Sequence, residues 1–172
     1  MVKHIIEVMS HKDFDYDMKM SGLNDDNVEN AKDIALISII GTKDCNKYYL
    51  NEPDTKHWFS KNHPNVLNLE FDDISEDREY KGHLFKALSI DQAKQTVEFI
   101  NRNINDGVII FKIHCRAGIS RSRAVGEFIA QLIELDGEVD YHGREQYINY
   151  LNVDVLTKLK RIYKEEYYEK SN

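Results

Sequence analysis

The sequence has few cysteines and no long apolar run, and each shortage excludes a class of protein. Two cysteines among 172 residues are too few for a disulfide framework. No apolar run approaches the length of a membrane-spanning helix. The N-terminal stretch from Met1 to Glu7 is too short and too charged for a signal peptide. We therefore expect a cytoplasmic protein with no membrane partner.

Positive charge is also scarce. The chain carries 23 Lys and Arg against 30 Asp and Glu, a formal net charge of −7. This balance argues against an extended nucleic-acid surface and leaves positive potential local, around Arg116, Arg121 and Arg123. The histidines show no metal-ligand spacing, and we expect neither a metal nor another cofactor. An acidic body with a local basic site suits a phosphomonoester.

Length and composition predict one domain over residues 1–172, with neither repeats nor low-complexity tracts. Apolar runs and helical periodicity predict an α/β fold. Residues 13–26 and 42–62 are polar, so we expect turns in the first and a loop with a short helix in the second. The predicted strands are 3–10, 34–41, 66–71 and 108–113, and the predicted helices are 28–33, 90–105, 125–133, 141–150 and 155–163.

The stretch Ile113 to Ser122 joins a predicted strand to a predicted helix and carries the clearest chemistry. Such a crossing directs backbone N–H groups and the positive end of a helix into one concavity, which suits a tetrahedral oxyanion. There Cys115 should have a lowered pKa and act as a nucleophile. Arg121 can hold two phosphoryl oxygens, and Gly118 lets the loop turn with its amides inward. The alternative is that Cys115 is a buried, inert thiol.

The string His114 to Ser122, HCRAGISRS, resembles the phosphate-binding signature of cysteine-dependent protein tyrosine phosphatases, most closely the small dual-specificity branch. The resemblance implies a small, mainly parallel central sheet flanked by helices. It also implies hydrolysis through a cysteinyl-phosphate, with Cys115 as nucleophile and Arg121 as catalytic cation. The implied phosphate-binding residues are Arg116, Ala117, Gly118, Ile119, Ser120 and Arg121, with His114 and Ser122 in support.

Members of this family use an aspartate upstream of the cysteine as general acid. We favour Asp73, because Phe71-Asp72-Asp73-Ile74 resembles the Phe-x-Asp-Ile string at the acid in some bacterial members. Asp77 is the second candidate and Asp72 the third. The distance along the chain to Cys115 is long for the family, and we ascribe it to an insertion at Lys81-Gly82-His83 that lengthens the loop.

Three other regions receive weaker predictions. Cys45 lies in a polar stretch, where we expect an exposed thiol without a role; a protective disulfide with Cys115 is the alternative. Asn152 resembles a late asparagine of the family and should have a supporting structural role. Residues 164–170 should form a solvated end of the last helix.

The resemblance leaves the substrate open. A phosphorylated protein or peptide, hydrolysed by a tyrosine or dual-specificity phosphatase, is the leading expectation. The alternatives are a phosphoinositide, an RNA 5′ end, or no turnover at all in a phospho-binding pseudophosphatase. We expect a monomer.

Overall fold

The computed structural model describes residues 3–48 and 56–169. The strands are β1 Lys3–Ser10, β2 Ile34–Ile40, β3 Val66–Glu70, β4 Arg78–Tyr80, β5 His83–Phe85, β6 Ile110–Cys115 and β7 Glu138–Tyr141. The helices are α1 His11–Ser21, α2 Lys43–Tyr48, α3 Ile90–Asn105, α4 Arg121–Ile133, α5 Arg144–Tyr147 and α6 Val153–Tyr163. Short 3-10 turns occupy Val28–Asn30 and Ile148–Tyr150, and a π-helical turn occupies Lys164–Tyr168.

Five of the described strands form one sheet in the order β3-β2-β6-β1-β7, and every pairing between neighbours is parallel. The predicted α/β fold with a small parallel sheet flanked by helices is confirmed. Ser10 lies opposite Cys115 in the β1–β6 pairing, and Ser38 lies opposite His114 in the β2–β6 pairing. Because the strands are parallel, the loops after β2, β3 and β6 meet at one edge of the sheet.

Side chains that alternate along the strands face two different cores. The larger core packs one face of the sheet against α3, α4 and α6, and it includes Ile37, Phe111, Ile113, Val97, Phe128 and Leu159. The smaller core packs the other face against α1 and the segment before β3, and it includes Leu36, Val66, Phe14, Met18 and Phe59. In the described parts of the chain, no helix is long and apolar enough to cross a bilayer.

Helix α1 corrects the prediction of turns over residues 13–26. Ser10 caps the helix by accepting a hydrogen bond from the Asp13 amide, and Gly22 ends it in the left-handed conformation at φ 68°. Phe14 and Met18, one turn apart, are buried against the sheet. The charged residues between them weaken the apolar pattern, so the helix depends on tertiary packing.

Of the two elements predicted on either side of residue 107, the helix is found as predicted and the strand is shifted by two residues. The capping box at Ser89 and Gln92 opens α3 as predicted. The strand predicted over 108–113 instead runs from Ile110 to Cys115, because Ile109 and Ile110 both donate backbone hydrogen bonds to the Asp33 carbonyl before β6 pairs with β2. Cys115 is therefore the last residue of the strand.

Three strands lie outside the predicted ones: β4 and β5, which follow β3, and β7, which follows α4. Lys81 and Gly82 form the turn of a β4–β5 hairpin, with φ 50° at Lys81 and φ 75° at Gly82, as in a two-residue type I′ turn, and His83 begins β5. Edge strand β7 pairs with the start of β1 and overlaps the helix predicted over 141–150 only at Tyr141. Helix α5 and the 3-10 turn after it occupy most of that predicted helix. Two charged and two apolar residues alternate along β7, and four residues paired with a distant strand give only a weak local signal.

The C-terminal segment is largely the predicted solvated end, since Lys164, Glu165, Tyr168 and Glu169 are exposed, but one of its tyrosines packs inward. The π-helical turn Lys164–Tyr168 continues α6. Tyr163 and Tyr167 stack with their ring centroids 5.4 Å apart, and both pack against the larger core. The predicted loop over 42–62 contains α2, and its residues 49–55, including Pro53, lie outside the described residues.

Candidate active site

Cys115 ends β6 with its side chain buried at the carboxyl edge of the sheet. Its Sγ lies 3.0 Å from the Oγ of Ser122. Burial alone would raise the pKa of the thiol. The Arg121 guanidinium, the Ser122 hydroxyl and the backbone amides of Ser122 and Gly118 outweigh burial and hold the Cys115 pKa below its ordinary value. The site thus favours the thiolate, which is the nucleophilic form.

Arg121 is the first residue of α4, and its guanidinium is buried. Its Nη1 donates a hydrogen bond of 2.6 Å to the Phe71 carbonyl, and its guanidinium carbon lies 5.9 Å from the centroid of the Phe71 ring. Phe71 directly follows β3. The segment after β3, which carries the candidate acids, therefore holds the Arg121 guanidinium in place.

Alternate carbonyls of the loop are hydrogen-bonded away from the sulfur. The Arg116 carbonyl accepts from the His11 amide at 3.1 Å, and the Gly118 carbonyl accepts from the Arg123 Nε at 3.0 Å. The Ser120 carbonyl accepts from the Ala124 amide at 3.0 Å. In a trans peptide the C=O and the following N–H point in opposite directions. These contacts fix the peptides that carry the amides of residues 117, 119 and 121, while the amides of Gly118 and Ser122 donate to the sulfur.

Gly118 is required by both backbone conformation and space. Its φ is +70°, and a Cβ at this position would lie 2.5 Å from the Met9 carbonyl carbon and 2.7 Å from the Met9 oxygen. The loop thus packs directly on the end of β1, where no side chain fits.

His114 belongs to a hydrogen-bonded row behind the nucleophile. Its Nε2 lies 2.7 Å from the Ser38 Oγ, which also lies 2.7 Å from the Nδ1 of His57. Burial, with the charge of His11, lowers the pKa of His114 to about 3 and that of His57 to about 4. Both imidazoles are neutral at neutral pH, so His114 acts here through hydrogen bonding and packing.

Asp73 is the carboxylate that the structure brings to the loop. Its Oδ1 accepts hydrogen bonds from the Ser120 Oγ at 2.8 Å and from the Asn152 Nδ2 at 2.7 Å. Asn152 also caps α6 by accepting from the Val155 amide at 3.0 Å. Three distant parts of the chain thus converge on one carboxylate.

The other two candidate acids have different surroundings. Asp72 is buried, and its carboxylate accepts from the Thr42 amide, the Thr42 hydroxyl and the Lys86 amide. Asp77 is exposed and accepts from the Lys86 ammonium at 3.0 Å and the Ala87 amide at 2.9 Å. The Lys86 hydrogen bond holds the pKa of Asp77 below its ordinary value, which opposes a role as proton donor. Asp72 thus connects the segment after β3 to Thr42 and Lys86, and Asp77 connects the start of the hairpin to Lys86 and Ala87 after it.

A cavity of about 540 Å³ opens over the sulfur. It is lined by Cys45, Asp72, Asp73, Ile74, Arg78, Phe85, Cys115, Arg116, Ala117, Ile119, Ser120 and Arg121. Cys45 is half-buried in α2, which corrects the prediction of an exposed thiol. Both cysteines are free thiols, and burial followed by the Asp72 charge raises the pKa of Cys45 to about 12. Cys45 is therefore a neutral wall of the site.

Several site residues carried no sequence signal. Arg78 and Phe85 reach the cavity from the hairpin, and the guanidinium of Arg78 lies 6.0 Å from the centroid of the Phe85 ring. Ser38 and His57 join the site through tertiary contacts 76 and 19 positions apart in the chain. The parallel pairing of β2 with β6 could have indicated Ser38, but that pairing is itself a long-range contact.

The five-stranded parallel sheet, with Cys115 and Arg121 at one loop on its edge, agrees with the fold that the resemblance in the sequence implies. No protein-family model and no curated protein matches the sequence. Among solved structures, the chain is similar to the crystal structure of human tyrosine phosphatase-like serine/threonine/tyrosine-interacting protein. The two are 19% identical over 84% of this chain and 82% of that chain, with a TM-score of 0.39. A similarity of this size is not evidence of activity, which depends on the residues of the site.

Proposed function

We propose that the protein hydrolyses phosphomonoesters through a cysteinyl-phosphate, acting as a tyrosine or dual-specificity protein phosphatase. The observation that carries the proposal is the shared cavity. It is lined by the buried Cys115, whose pKa is lowered, by Arg121, and by Asp73, which accepts a hydrogen bond from Ser120 of the same loop. A nucleophile, an oxyanion site and a candidate acid are the parts that the reaction needs.

In the first step, the Cys115 thiolate attacks phosphorus and the bond from phosphorus to the ester oxygen breaks. Asp73, protonated for this step, gives its proton to the leaving oxygen. Arg121 and the loop amides bind the phosphoryl oxygens as charge moves onto them. In the second step, water attacks phosphorus and the S–P bond breaks. Asp73 takes the proton from water, and the Ser122 hydroxyl stabilises the returning thiolate at 3.0 Å.

The walls of the cavity support a phosphorylated protein or peptide as substrate. Arg78 and Arg116 offer positive charge beside the loop, while Ile74, Phe85 and Ile119 offer apolar surface. A side chain that combines an anionic phosphate with an apolar stem fits both kinds of wall.

Phosphate release from a mixed panel tests the proposal. The panel contains phosphotyrosine, phosphoserine and phosphothreonine peptides, phosphoinositides and RNA with a 5′ triphosphate. We expect the wild type to release phosphate from peptides and Cys115→Ser to release none while still binding orthovanadate. Release only from a phosphoinositide or RNA would keep the chemistry and change the substrate.

The matched control is Cys45→Ser, because Cys45 lines the same cavity with a neutral thiol. This variant should keep most of its turnover. Full activity in Cys115→Ser would overturn the mechanism. Binding of phosphopeptide by the wild type without any release of phosphate would identify a phospho-binding module.

A further inference from the structure

Arg123 is a buried cation that contacts the loop of residues 115–121, which we call the phosphate loop. It is 7% exposed, and its Nε donates a hydrogen bond of 3.0 Å to the Gly118 carbonyl. Its Nη1 donates a hydrogen bond of 3.1 Å to the His142 carbonyl. The cavity over Cys115 is lined by other residues of the loop, so the mechanism above makes no use of this arginine.

The planar guanidinium of Arg123 is also held by two aromatic rings. Its central carbon lies 4.6 Å from the centroid of Tyr147 and 5.6 Å from that of Tyr141. A buried charge is unfavourable unless hydrogen bonds and polarisable groups replace water. Backbone carbonyls and tyrosine faces provide these contacts, and they suit the flat guanidinium better than a lysine ammonium.

These contacts connect the loop to the segment from β7 to α5. The Arg116 and Ser120 carbonyls accept from backbone amides, whereas the Gly118 carbonyl accepts from a side chain. The Gly118 peptide is also the one with a left-handed φ of +70°. The orientation of the peptide at the tightest point of the loop thus depends on a side chain that mutation can remove.

We infer that Arg123 is a positioning residue that holds the Gly118 peptide so that the loop amides point at the sulfur and at a bound oxyanion. The reaction it would serve is the proposed hydrolysis, so this inference rests on the proposed function. The effect on the loop itself can be measured without turnover, through the ionisation of Cys115 and the binding of orthovanadate.

The test compares Arg123→Met with Arg123→Lys in a Cys45→Ser background, so that iodoacetamide reports on Cys115. Methionine fills similar space but offers no donor, and lysine keeps the charge without the planar fork. We expect Arg123→Met to shift the pH profile of alkylation upward and to weaken orthovanadate binding by about tenfold. Arg123→Lys should fall between Arg123→Met and the wild type, and kcat/KM should follow the same order.

Arg144→Met is the matched control. Arg144 comes from the same segment, but its guanidinium pairs with Glu127 at 2.8 Å and with Glu134 on the far part of α4. Its loss should lower thermal stability and leave both the alkylation profile and the orthovanadate affinity at wild-type values. If both arginine variants change these measurements equally, Arg123 has only a structural role and the inference is wrong.

A wild-type alkylation profile and wild-type orthovanadate affinity in a folded Arg123→Met protein would also overturn the inference. If circular dichroism shows that Arg123→Met does not fold, the same measurements on Arg123→Lys and on Tyr147→Leu decide the question. If the wild type binds orthovanadate but hydrolyses no substrate, the proposed function fails, while the comparison of Arg123 with Arg144 still stands.

Discussion

The phosphate loop and the acid segment lie in the same cavity but are built in different ways. The loop is one contiguous stretch, and backbone amides of α1 and α4, together with the Arg123 side chain, hold its carbonyls. Asp73 is exposed, and it is held by side chains 47 and 79 positions away in the chain. The surroundings of Cys115 are therefore encoded locally, whereas those of Asp73 depend on the tertiary fold.

The two regions also differ in how much of each depends on burial. Cys115, Arg121 and Ser122 are all buried, so each must have its partners inside the protein. The two hydrogen bonds to Asp73 lie at exposed positions and add little to folding stability. Changes in the loop should therefore affect both structure and chemistry, and changes at Asp73 should affect chemistry almost alone.

Gly118→Ala should have the largest effect on activity, because it changes the loop that surrounds Cys115. The new Cβ would lie 2.5 Å from the Met9 carbonyl carbon, so the loop must move. A displacement of about 1 Å can reduce rates about 100-fold, and we expect at least that loss in kcat/KM. Steady-state kinetics with a phosphotyrosine peptide measures it.

The control for this variant is Gly22→Ala. Gly22 has nearly the same φ, +68°, but a Cβ there has no atom within 4 Å. It should destabilise the protein by about 1 kcal/mol through backbone strain and keep the wild-type kcat/KM. If Gly118→Ala were no worse than Gly22→Ala, the close packing of the loop on β1 would have no part in function.

Asp73→Asn should have the next largest effect, confined to chemistry. Loss of general acid catalysis reduces rates by about 100-fold or more, and the loss should be greater for a phosphotyrosine peptide than for an aryl phosphate with a good leaving group. The melting temperature should hardly change. Kinetics with both substrates and thermal unfolding of the same sample check the two parts.

Asp77→Asn is the matched carboxylate for this comparison. It interrupts the contacts with Lys86 and Ala87, so it should leave the rate with the poor leaving group unchanged. The opposite result, with Asp77→Asn slow and Asp73→Asn normal, would move the acid from Asp73 to Asp77.

His63→Gln should have the smallest effect, because it lies far from both regions. Hydrogen bonds to Asp25 and Glu29 raise the pKa of His63 above its ordinary value of 6.5. This contribution to stability is complete below pH 6.5 and disappears as pH rises through the folded-state pKa. We expect the variant to melt about 3 °C lower near pH 5, with a difference that narrows in alkaline buffer.

Asp25 determines how the stability that the same pair contributes changes at low pH. Its hydrogen bond to His63 lowers the Asp25 pKa from 3.8 to about 2. The contribution of the pair should therefore be complete above pH 3.8 and decline as pH falls through about 2. Thermal unfolding of wild type and variant from pH 2 to pH 9 tests this window, and a constant difference across it would show that the pair does not titrate as described.

Four of the five strands of the central sheet could be predicted, because each contains a short apolar run. Residues 34–40 and 66–70 form β2 and β3, at the positions that their apolar runs predict. Helix α1 could not be predicted because charged residues interrupt its apolar pattern, and strand β7 because its alternation of charged and apolar residues covers only four positions. The first gains its stability from packing Phe14 and Met18 on the sheet, and the second from pairing with β1.

The site shows the same division. The chemistry of Cys115 and Arg121 follows from their spacing and flanking elements, which are local properties. Three neighbouring aspartates look alike in the sequence, and they differ only after folding buries Asp72 under Thr42 and pairs Asp77 with Lys86. Ser38 and His57 could not be assigned either, since each joins the site through a tertiary contact.

The cap of α6 has a consequence for the order in which the protein becomes complete during synthesis. Chains fold from the N-terminus as they leave the ribosome, and β6, the loop and α4 all precede Asn152. The residue that both caps α6 and holds Asp73 is therefore synthesised after every residue that lines the cavity, and α6 also completes the core behind it. The candidate site can reach its full set of contacts only when the last helix has been made.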